Sequence, residues 1–528
     1  MKRLLLSLAI VLFSTLPALA QLDLSAFTAT GRGGVATTFS TDYQTIGINP
    51  ANLGFVKSFR DPLVTVGFGE ASFTVRAEPL TRKELFNALF TTGENRDRLP
   101  YSVKGDGDLS TKEELARRYT NKDFQVNMDA MLFGMSVHLP GHIGVAINVR
   151  DRVQLFTRLG PRAANLAFLG ANSGYFSHLV LSDGRLIEND RFPFDPTPGA
   201  IQPQTTLTEN EQASVVLGAF TDTANVLTAR EIMAGSRISA SWFREFNISV
   251  GGRVYDSYNF SLYAGAGYKI IRGILSMDVD VANDATFNEN SLSIADGLIN
   301  FDQFTLQNNI SMGDLAFPSG SSRGWGLDFG VTMVIKRNFY VGAAVTNIGE
   351  ITPPSDGSYR IESNNKVEQF QGHGLDNFSL LSSSENSFAI GGERSPINWQ
   401  QQQIDRIELP TTVRVGASYE YLKTVHVGID IIHPLKRVTG NLESTLIGVG
   451  GDFRVTKLFR LSSGANFLLS SGSRINIPLG ITYTGRKGKY EAGVATKDIF
   501  TYFSGAEGST FSLATGYLRF RLGAVGRD

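Results

Sequence analysis

The sequence predicts an all-β fold, a transmembrane antiparallel β-barrel, and three observations lead to this prediction. Segments of about ten residues alternate apolar and polar side chains, as strands with two different faces do. Short and long connections alternate between these segments. After the first twenty residues, no stretch approaches the roughly 18 uninterrupted apolar residues expected of a membrane helix. If the chain enters a membrane, it does so as strands.

The N-terminus has the pattern of a secretory signal peptide. Lys2 and Arg3 precede the apolar run Leu4 to Phe13, and Ala18-Leu19-Ala20 forms a small-residue cleavage site. We therefore expect residues 1–20 to be removed and the mature chain to begin near Gln21.

The alternation is clearest in a hairpin after residue 320. Trp325, Leu327, Phe329, Val331, Met333 and Ile335 occupy odd positions, whereas most even positions are Gly, Asp or Thr. The pattern resumes at Phe339, and only three residues separate it from Ile335, which fits a tight turn. One face of this hairpin can meet lipid, and the other is small or polar.

The same pattern recurs along the chain in about sixteen segments, or fourteen if a weak pair is merged. The other segments are Leu63–Val75, Met131–Leu139, Ile143–Leu155, Ile232–Trp242, Ile248–Val254, Phe260–Ile270, Leu275–Val281, Val413–Tyr421, Val425–Ile431, Thr445–Val455, Phe459–Leu469, Ile475–Tyr483, Tyr490–Val494 and Phe511–Leu522.

Connection lengths predict the orientation of the barrel. Short turns are expected at Pro140-Gly141, Arg244–Phe246, Arg272-Gly273, Arg337-Asn338, Leu422-Lys423, Lys457 and Gly485–Gly488, with longer loops between most of them. Outer-membrane barrels have short periplasmic turns and long extracellular loops, so both mature termini are expected on the periplasmic side.

Aromatic side chains cluster beside the expected short turns, where an interfacial girdle needs amphipathic rings. Ordinary strand propensity is the alternative explanation for them. The predicted girdle consists of Trp242, Phe243, Phe339, Tyr340, Tyr421, Phe459 and Tyr483.

The polar strand faces carry charges of both signs, which the alternation directs into the lumen. These residues are Arg150, Arg152, Asp278, Asp280, Asp328, Arg414, Asp430, Asp452 and Arg454. They either form a polar pathway for solutes or pair with one another to fix a filled interior, and we favour the pairing.

Two stretches in the first long loop depart from the β pattern. Thr81 and Glu84 form a capping box before a helical apolar spacing, which predicts a helix near residues 82–90. Ser110 and Glu113 predict a second helix near residues 111–118.

The composition argues against several classes of function. The 49 basic and 50 acidic residues are interspersed, which does not fit a nucleic-acid partner. The chain has no cysteine, and its six histidines form no metal-binding pair. Asp106-Gly107-Asp108 begins like a calcium loop, but Thr111 replaces the turn glycine and Arg117 the bidentate Glu. No nucleophile elbow of the serine-hydrolase type is identified. We expect no enzyme activity, catalytic residue, metal or cofactor.

The mature N-terminus resembles the FadL-type outer-membrane proteins of Gram-negative cells, which include the long-chain fatty-acid transporter and the PorV-type barrel of a secretion apparatus. The similar residues are Gly31-Arg32-Gly33-Gly34-Val35, Asp42-Tyr43 and Ile46 to Leu53, which contains Asn49-Pro50-Ala51. Residues 324–349 and Leu409 to Gly416 resemble PorV-like hairpins.

The resemblance implies a fourteen-stranded barrel from residue 61 onward, with residues 21–60 folded inside it as a hatch. The implied hatch residues are Gly31, Gly33, Gly34, Asn49, Pro50 and Ala51. Two features depart from the family pattern: a short tail follows Phe520, and the loops are longer than a minimal transporter needs.

Two functions follow from these predictions. The first is a passive channel in the outer membrane for small hydrophobic molecules, with lipid around it and a small hydrophobic ligand within. The alternative is a non-transporting scaffold or accessory subunit of an outer-membrane secretion or assembly complex, whose long loops contact protein partners.

Overall fold

The computed structural model describes residues 29, 31–55, 63–81, 109–181, 183–195, 218–221, 226–295, 299–300, 305–306, 321–362, 366–367, 369–370, 398–422, 424–436, 438, 442, 444–469, 475–485, 488–499 and 507–522. Within this part of the chain, fourteen antiparallel strands form a closed barrel. They are β1 (Val64–Thr81), β2 (Asp123–Leu139), β3 (Ile143–Arg158), β4 (Arg237–Asp256), β5 (Phe260–Val281), β6 (Ser322–Ile335), β7 (Phe339–Thr352), β8 (Thr412–Tyr421), β9 (Val425–Pro434), β10 (Leu446–Arg454), β11 (Phe459–Leu468), β12 (Leu479–Gly485), β13 (Tyr490–Thr496) and β14 (Glu507–Leu522).

The barrel closes because the last strand pairs with the first. Each strand pairs with the next in the chain, and β14 pairs with β1 from Val64 opposite Leu522 to Thr81 opposite Glu507. Closure pairs the backbone groups that an open sheet would leave free at its edges, which hydrocarbon does not tolerate. The predicted all-β barrel is therefore confirmed, with fourteen strands.

Two of the predicted short turns are wrong. Each divides one strand into two predicted segments, so fourteen strands were counted as sixteen. Arg244 to Phe246 lie within β4, and Arg272-Gly273 lies within β5. Trp242 pairs with Leu275 and Phe243 with Gly273, which leaves Ile274 as the extra residue of a β-bulge. A glycine beside charged residues marks a bulge here rather than a turn.

The barrel exterior carries a belt of exposed apolar side chains on every side. Ile248 and Val250 of β4, for example, are 50% and 47% exposed. Other members are Phe68, Met128, Leu132, Leu155, Tyr268, Ile270, Trp325, Phe329, Val331, Val415, Val427, Ile429, Ile431, Val449, Ile481, Val494 and Leu518. An exposed apolar surface of this extent is typical of a wall that meets hydrocarbon.

The described residues include three short α-helices, α1 (Leu109–Tyr119), α2 (Pro161–Leu169) and α3 (Ala229–Ile232). Three 3₁₀ helices span Asp42–Thr45, Pro50–Gly54 and Gly170–Asn172. None of the helices in these ranges is long and apolar enough to cross a membrane. α1 occupies the range predicted for the second loop helix, whereas the predicted helix at 82–90 and the predicted signal peptide lie outside the described residues.

The two ends of the barrel differ in their connections. Connections of three or four residues all lie at one end of the barrel, called here the short-turn end. They join β2 to β3, β4 to β5, β6 to β7, β8 to β9, β10 to β11 and β12 to β13. The other connections lie at the opposite, long-loop end. Four loop strands there extend the barrel sheet: Phe287–Ile294, Ser358–Glu362, Asn398–Gln401 and Ile407–Glu408.

The loops at this end form a lobe with its own apolar core, called here the loop lobe. Two small sheets belong to these loops, one of His178–Val180, Leu186–Glu188, Gly218–Phe220 and Gln369–Phe370 and one of Ile299–Asn300 and Thr305–Leu306. The core residues include Leu159, Leu166, Phe168, Phe176, Leu179, Ile232, Ile238, Met277, Val279, Leu292, Ile294, Ile361 and Trp399. Within the lobe, Thr228 caps α3, and its hydrogen bonds hold the pKa of Glu231 below the usual value.

The loop lobe packs on the continuation of the lipid-facing side of the wall. Ile238, Ala240 and Trp242 lie on the same face of β4 as the exposed Ile248, because side chains alternate along a strand. Ile238 and Ala240 belong to the lobe core, and Trp242 packs against it. The apolar face of β4 thus changes from an exposed belt to a covered surface near its middle.

Candidate functional site: the hatch and the barrel interior

Residues 31–55, called here the hatch, fill the barrel interior. All six predicted hatch residues lie there, namely the three glycines and Asn49-Pro50-Ala51. Most of the segment is fully buried. Asn49 caps the 3₁₀ helix Pro50–Gly54, because its side-chain oxygen accepts a hydrogen bond from Ala51 N at 3.2 Å. Pro50 follows the cap, where its missing N–H does no harm.

The hatch touches the wall at a ring of inward-facing glycines on twelve of the fourteen strands. At each of these positions a Cβ atom would meet hatch atoms. Examples are Gly428, where a Cβ would lie 2.7 Å from the Phe39 ring, and Gly265, where it would lie 2.5 Å from the carbonyl carbon of Pro50. This glycine belt comprises Gly67, Gly134, Gly144, Gly251, Gly265, Gly330, Gly342, Gly416, Gly428, Gly448, Gly450, Gly464 and Gly480. The hatch backbone therefore lies directly on the wall.

A buried charge pair fixes the centre of the hatch. The Asp430 carboxylate accepts hydrogen bonds from Ala36 N at 2.9 Å and from Thr37 N and Oγ1 at 2.9 and 2.7 Å. Arg414 lies 3.2 Å from the same carboxylate and also donates to the carbonyl of Gly34 at 3.0 Å. Both side chains are almost completely buried, so the pair holds hatch and wall together in a low-dielectric interior.

Further ion pairs tie the hatch to other parts of the wall. Arg32 lies 2.9 Å from Asp452 of β10. Asp42 lies 2.7 Å from Arg519 of β14, which also pairs with Glu491. The hatch is thus bound by charge to β10 and β14 as well as to β8 and β9.

Most of the predicted lumen charges are paired inside the barrel. Arg150 pairs with Asp129, Arg152 lies 3.3 Å from Glu245, and Asp328 lies 3.1 Å from Lys269. Asp278 lies nearer the long loops, 3.2 Å from Arg237, and Asp280 stands opposite the same arginine in the register. Arg454 differs from the others because it is exposed beside the turn between β10 and β11.

The predicted aromatic girdle needs three corrections. Tyr340 is 3% exposed and packs against Phe55 of the hatch, at 5.9 Å between ring centroids. Trp242 and Phe243 lie in the middle of β4, away from the short-turn end. Adjacent residues of a strand face opposite sides, so two neighbouring aromatics cannot both face lipid. Phe339, Tyr421 and Phe459 are exposed near the short turns, and Tyr483 packs on Phe459 at 5.4 Å.

Several interior residues were missed by the sequence analysis. They are the glycine belt and the charged or polar partners Asp42, Gln44, Glu70, Asp129, Glu245, Lys269, Glu491 and Arg519. The recurrence of one inward glycine in nearly every strand was a readable signal. The pairing of Asp42 with Arg519, 477 positions later, was not.

A small cavity of about 20 Å³ lies between the hatch and the wall at β1 to β3. Tyr43, Ile46, Ile48 and Met131 give it an apolar side. Its polar side is formed by Gln44, Glu70, Asn148, Arg150 and Arg152. A space of this size holds about one or two water molecules.

We expect Asn49→Ala to loosen the hatch and to lower the free energy of unfolding by about 1–3 kcal/mol, because buried partners are left unsatisfied. The Asn49 amide donates to the carbonyl of Thr37 at 3.0 Å and to Thr332 Oγ1 at 2.8 Å, besides capping Pro50–Gly54. Thermal unfolding in detergent measures the change. The control is Asn476→Ala at the long-loop side of β12, where the half-buried side chain donates to Asn466 Oδ1 at 3.0 Å. Equal stability of the two variants would contradict the role given to Asn49.

Solved structures similar to this chain include hydrocarbon channels and a FadL homologue. A TodX mutant described as a monoaromatic hydrocarbon channel has a TM-score of 0.43 and 11% identity, covering 94% of this chain and 98% of its own. A FadL homologue of Pseudomonas aeruginosa has a TM-score of 0.37 and 10% identity, covering 96% and 100%. CymD, also described as a monoaromatic hydrocarbon channel, has a TM-score of 0.38 and 10% identity, covering 94% and 97%.

FadL-type proteins, the superfamily that residues 31–53 resemble, are therefore among the similar structures. No curated protein matches the sequence. A model described as a family of unknown function, DUF5723, matches residues 218–487, from just before β4 to just after β12. Because this match covers slightly more than half of the chain, the protein belongs to the DUF5723 family.

Proposed function

We propose that the protein is a passive outer-membrane channel for small hydrophobic molecules, and that its solutes leave sideways through the wall while the hatch stays in place. One observation carries the proposal: the cavity beside the hatch lies behind an irregularity in the β1–β2 ladder. In this proposal the signal peptide is removed, both ends of the mature chain are periplasmic, and the loop lobe faces the outside.

The irregularity involves one residue from each strand. Phe68 pairs with Phe133 and Glu70 with Met131, but the register skips Gly69 and Leu132 between them. Gly69 has a φ of 63°, and a Cβ placed on it would meet no atom within 4 Å. Leu132 is the extra residue of a bulge toward β3 and is 49% exposed. Bulges bend strands and interrupt the ladder, so this is where the wall is locally weakened.

The lining of the cavity is half apolar and half polar, so one side of it suits an apolar solute. Glu70 and Met131 line the cavity and also flank the skipped pair, so the space and the irregularity are adjacent. Arg150 pairs with Asp129 and Arg152 with Glu245, which satisfies the cations next to the solute. The apolar residues Ile46 and Ile48 contribute the opposite side. Transport is passive in this scheme, because a hydrophobic solute moves into the bilayer down its own concentration gradient.

A disulfide lock separates lateral exit from hatch displacement. Thr38 of the hatch and Ser418 of β8 lie 2.7 Å apart between their hydroxyl oxygens, and the chain contains no cysteine that could form a competing bond. We expect the double variant Thr38→Cys/Ser418→Cys, oxidised, to take up a hydrophobic aromatic probe into proteoliposomes at the rate of its reduced form. Thr346→Cys/Thr412→Cys, whose wild-type hydroxyls lie 3.0 Å apart across β7 and β8, is the matched wall-to-wall control.

The outcomes of this experiment are distinct. Uptake that stops only when the hatch is locked would overturn lateral exit and favour a moving hatch. Uptake no faster than in protein-free liposomes, for the wild type and both reduced variants, would overturn the channel itself.

The second candidate, a non-transporting subunit of an outer-membrane secretion or assembly complex, is favoured by the loop lobe. The core of the lobe includes fully buried residues such as Phe176 and Leu179, so the lobe is a packed body. A packed body of this kind can present a defined surface to a protein partner. Gentle detergent extraction followed by pull-down tests this alternative, and a lone monomer under every mild condition would argue against it.

A further inference from the structure

The outer face of the wall carries a row of charged residues on four neighbouring strands. The register places Asp151 of β3 opposite Arg244 of β4, Arg244 opposite Arg272 of β5, and Arg272 opposite Arg323 of β6. Each arginine shares its strand face with a residue of the exposed apolar belt. The pairs are Arg244 with Ile248, Arg272 with Ile270 and Arg323 with Trp325. The row of three arginines, called here the arginine row, therefore points away from the lumen.

The arginine row lies at the boundary between the apolar belt and the loop lobe. The next outward-facing row lies two residues from the arginine row toward the short-turn end, about 7 Å along the strands. It consists of Val149, Phe246, Ile270 and Trp325. On the other side, Trp242 and Leu275 pack against the lobe core. Cations at this height coincide with the headgroup layer of a membrane whose hydrocarbon meets the belt.

The charge of the arginine row is not balanced by the described residues. Asp151 pairs with Arg244 at 2.6 Å, which accounts for one cation. Within the described ranges, neither Arg272 nor Arg323 forms a hydrogen bond or an ion pair with another side chain, and the Nε atom of Arg272 is buried without a partner. Like charges directly opposite each other destabilise a sheet unless an anion lies between them. The two cations left unpaired therefore have the charge to bind about one anion, such as a phosphate.

We propose that Arg272 and Arg323 bind the phosphate of a lipid headgroup whose acyl chains lie on the apolar row below. Guanidinium groups bind phosphate oxygens with paired hydrogen bonds. A lipid is favoured over free phosphate because Ile270 and Trp325 provide an apolar surface directly beside the cations. The inference rests on the proposed membrane location and orientation, but not on transport.

The test is the lipid that remains bound to purified protein. We expect Arg272→Gln/Arg323→Gln to retain at least fivefold less phosphate-bearing lipid than the wild type in native mass spectrometry. Lys336→Gln/Arg337→Gln removes two exposed cations from the turn between β6 and β7 at the other end, and it should retain the wild-type amount. Added diphosphorylated lipid A should rebind to delipidated wild type, whereas its dephosphorylated form and inorganic phosphate should not.

Equal lipid retention by the two double variants would overturn the proposal. Rebinding of inorganic phosphate as tightly as of lipid A would also overturn the lipid assignment. Uptake of the hydrophobic probe by the Arg272/Arg323 variant should stay at the wild-type rate, so a failed channel and a failed lipid site give different results.

Discussion

Replacing Arg414 with methionine should lower the free energy of unfolding by about 3–5 kcal/mol, because removing one partner of a buried pair leaves an uncompensated charge. Asp430 would keep its hydrogen bonds from Ala36 and Thr37 but lose its buried cation. The hatch would also lose the Arg414 bond to the Gly34 carbonyl. Urea unfolding of the purified protein in detergent, followed by heat-modifiable gel mobility and tryptophan fluorescence, measures the loss.

The matched control is Arg460→Met on β11. Arg460 lies 3.8 Å from Asp452 and 4.0 Å from Glu491, at the limit of ion pairing, and its side chain is 29% exposed. A partly exposed pair at this distance is worth about 0–1 kcal/mol, so the control should unfold close to the wild type. The double variant Arg414→Met/Asp430→Asn should recover part of the lost stability, because it removes the unpaired charge and keeps an oxygen that accepts from Ala36 and Thr37. Arg414→Met that is as stable as the Arg460 control would refute the importance of this pair.

Adding two methyl groups to the glycine belt should displace the hatch. In Gly251→Ala/Gly265→Ala, both new Cβ atoms would collide with Pro50 of the hatch. Overpacking of this kind costs typically about 1–3 kcal/mol per site. The barrel strands keep their own pairing, so we expect the wall to persist and the hatch to detach. In a planar bilayer, a steady ionic conductance should appear that the wild type lacks.

Gly252→Ala tests whether this effect depends on the face of the strand. Gly252 is adjacent to Gly251 but faces the other side of β4, where a Cβ would lie 3.4 Å from the nearest atom, in Ile143. That is an ordinary contact, so the variant should stay closed and stable. A similar conductance in both variants would mean that strand weakening, rather than hatch displacement, opens the barrel.

The fold could be predicted because its signal is local. Period-two alternation reports which face of a strand meets hydrocarbon, and it identified segments such as Trp325 to Ile335 directly. The strand count was harder. The bulge at Ile274 interrupts the alternation in β5, so one long strand was read as two.

The interior could be predicted only in part. The alternation directs Arg414 and Asp430 inward, but it does not reveal that Asp430 accepts hydrogen bonds from the hatch at Ala36 and Thr37. Such contacts join residues almost 400 positions apart, and no local pattern encodes them. The loop lobe was missed because its apolar residues come from several loops that have no shared period.

The contact between the hatch and the glycine belt has a consequence for the order in which the barrel assembles. Hatch atoms touch both strands at the seam where the cylinder is completed, since Tyr43 lies against Gly67 of β1 and Asp42 pairs with Arg519 of β14. Because the hatch fills the interior up to this seam, the segment could not enter after β1 and β14 have paired. The N-terminal segment is synthesised first, and the strands would then assemble around it. A chain that lacks this segment should therefore assemble slowly even if every strand is intact.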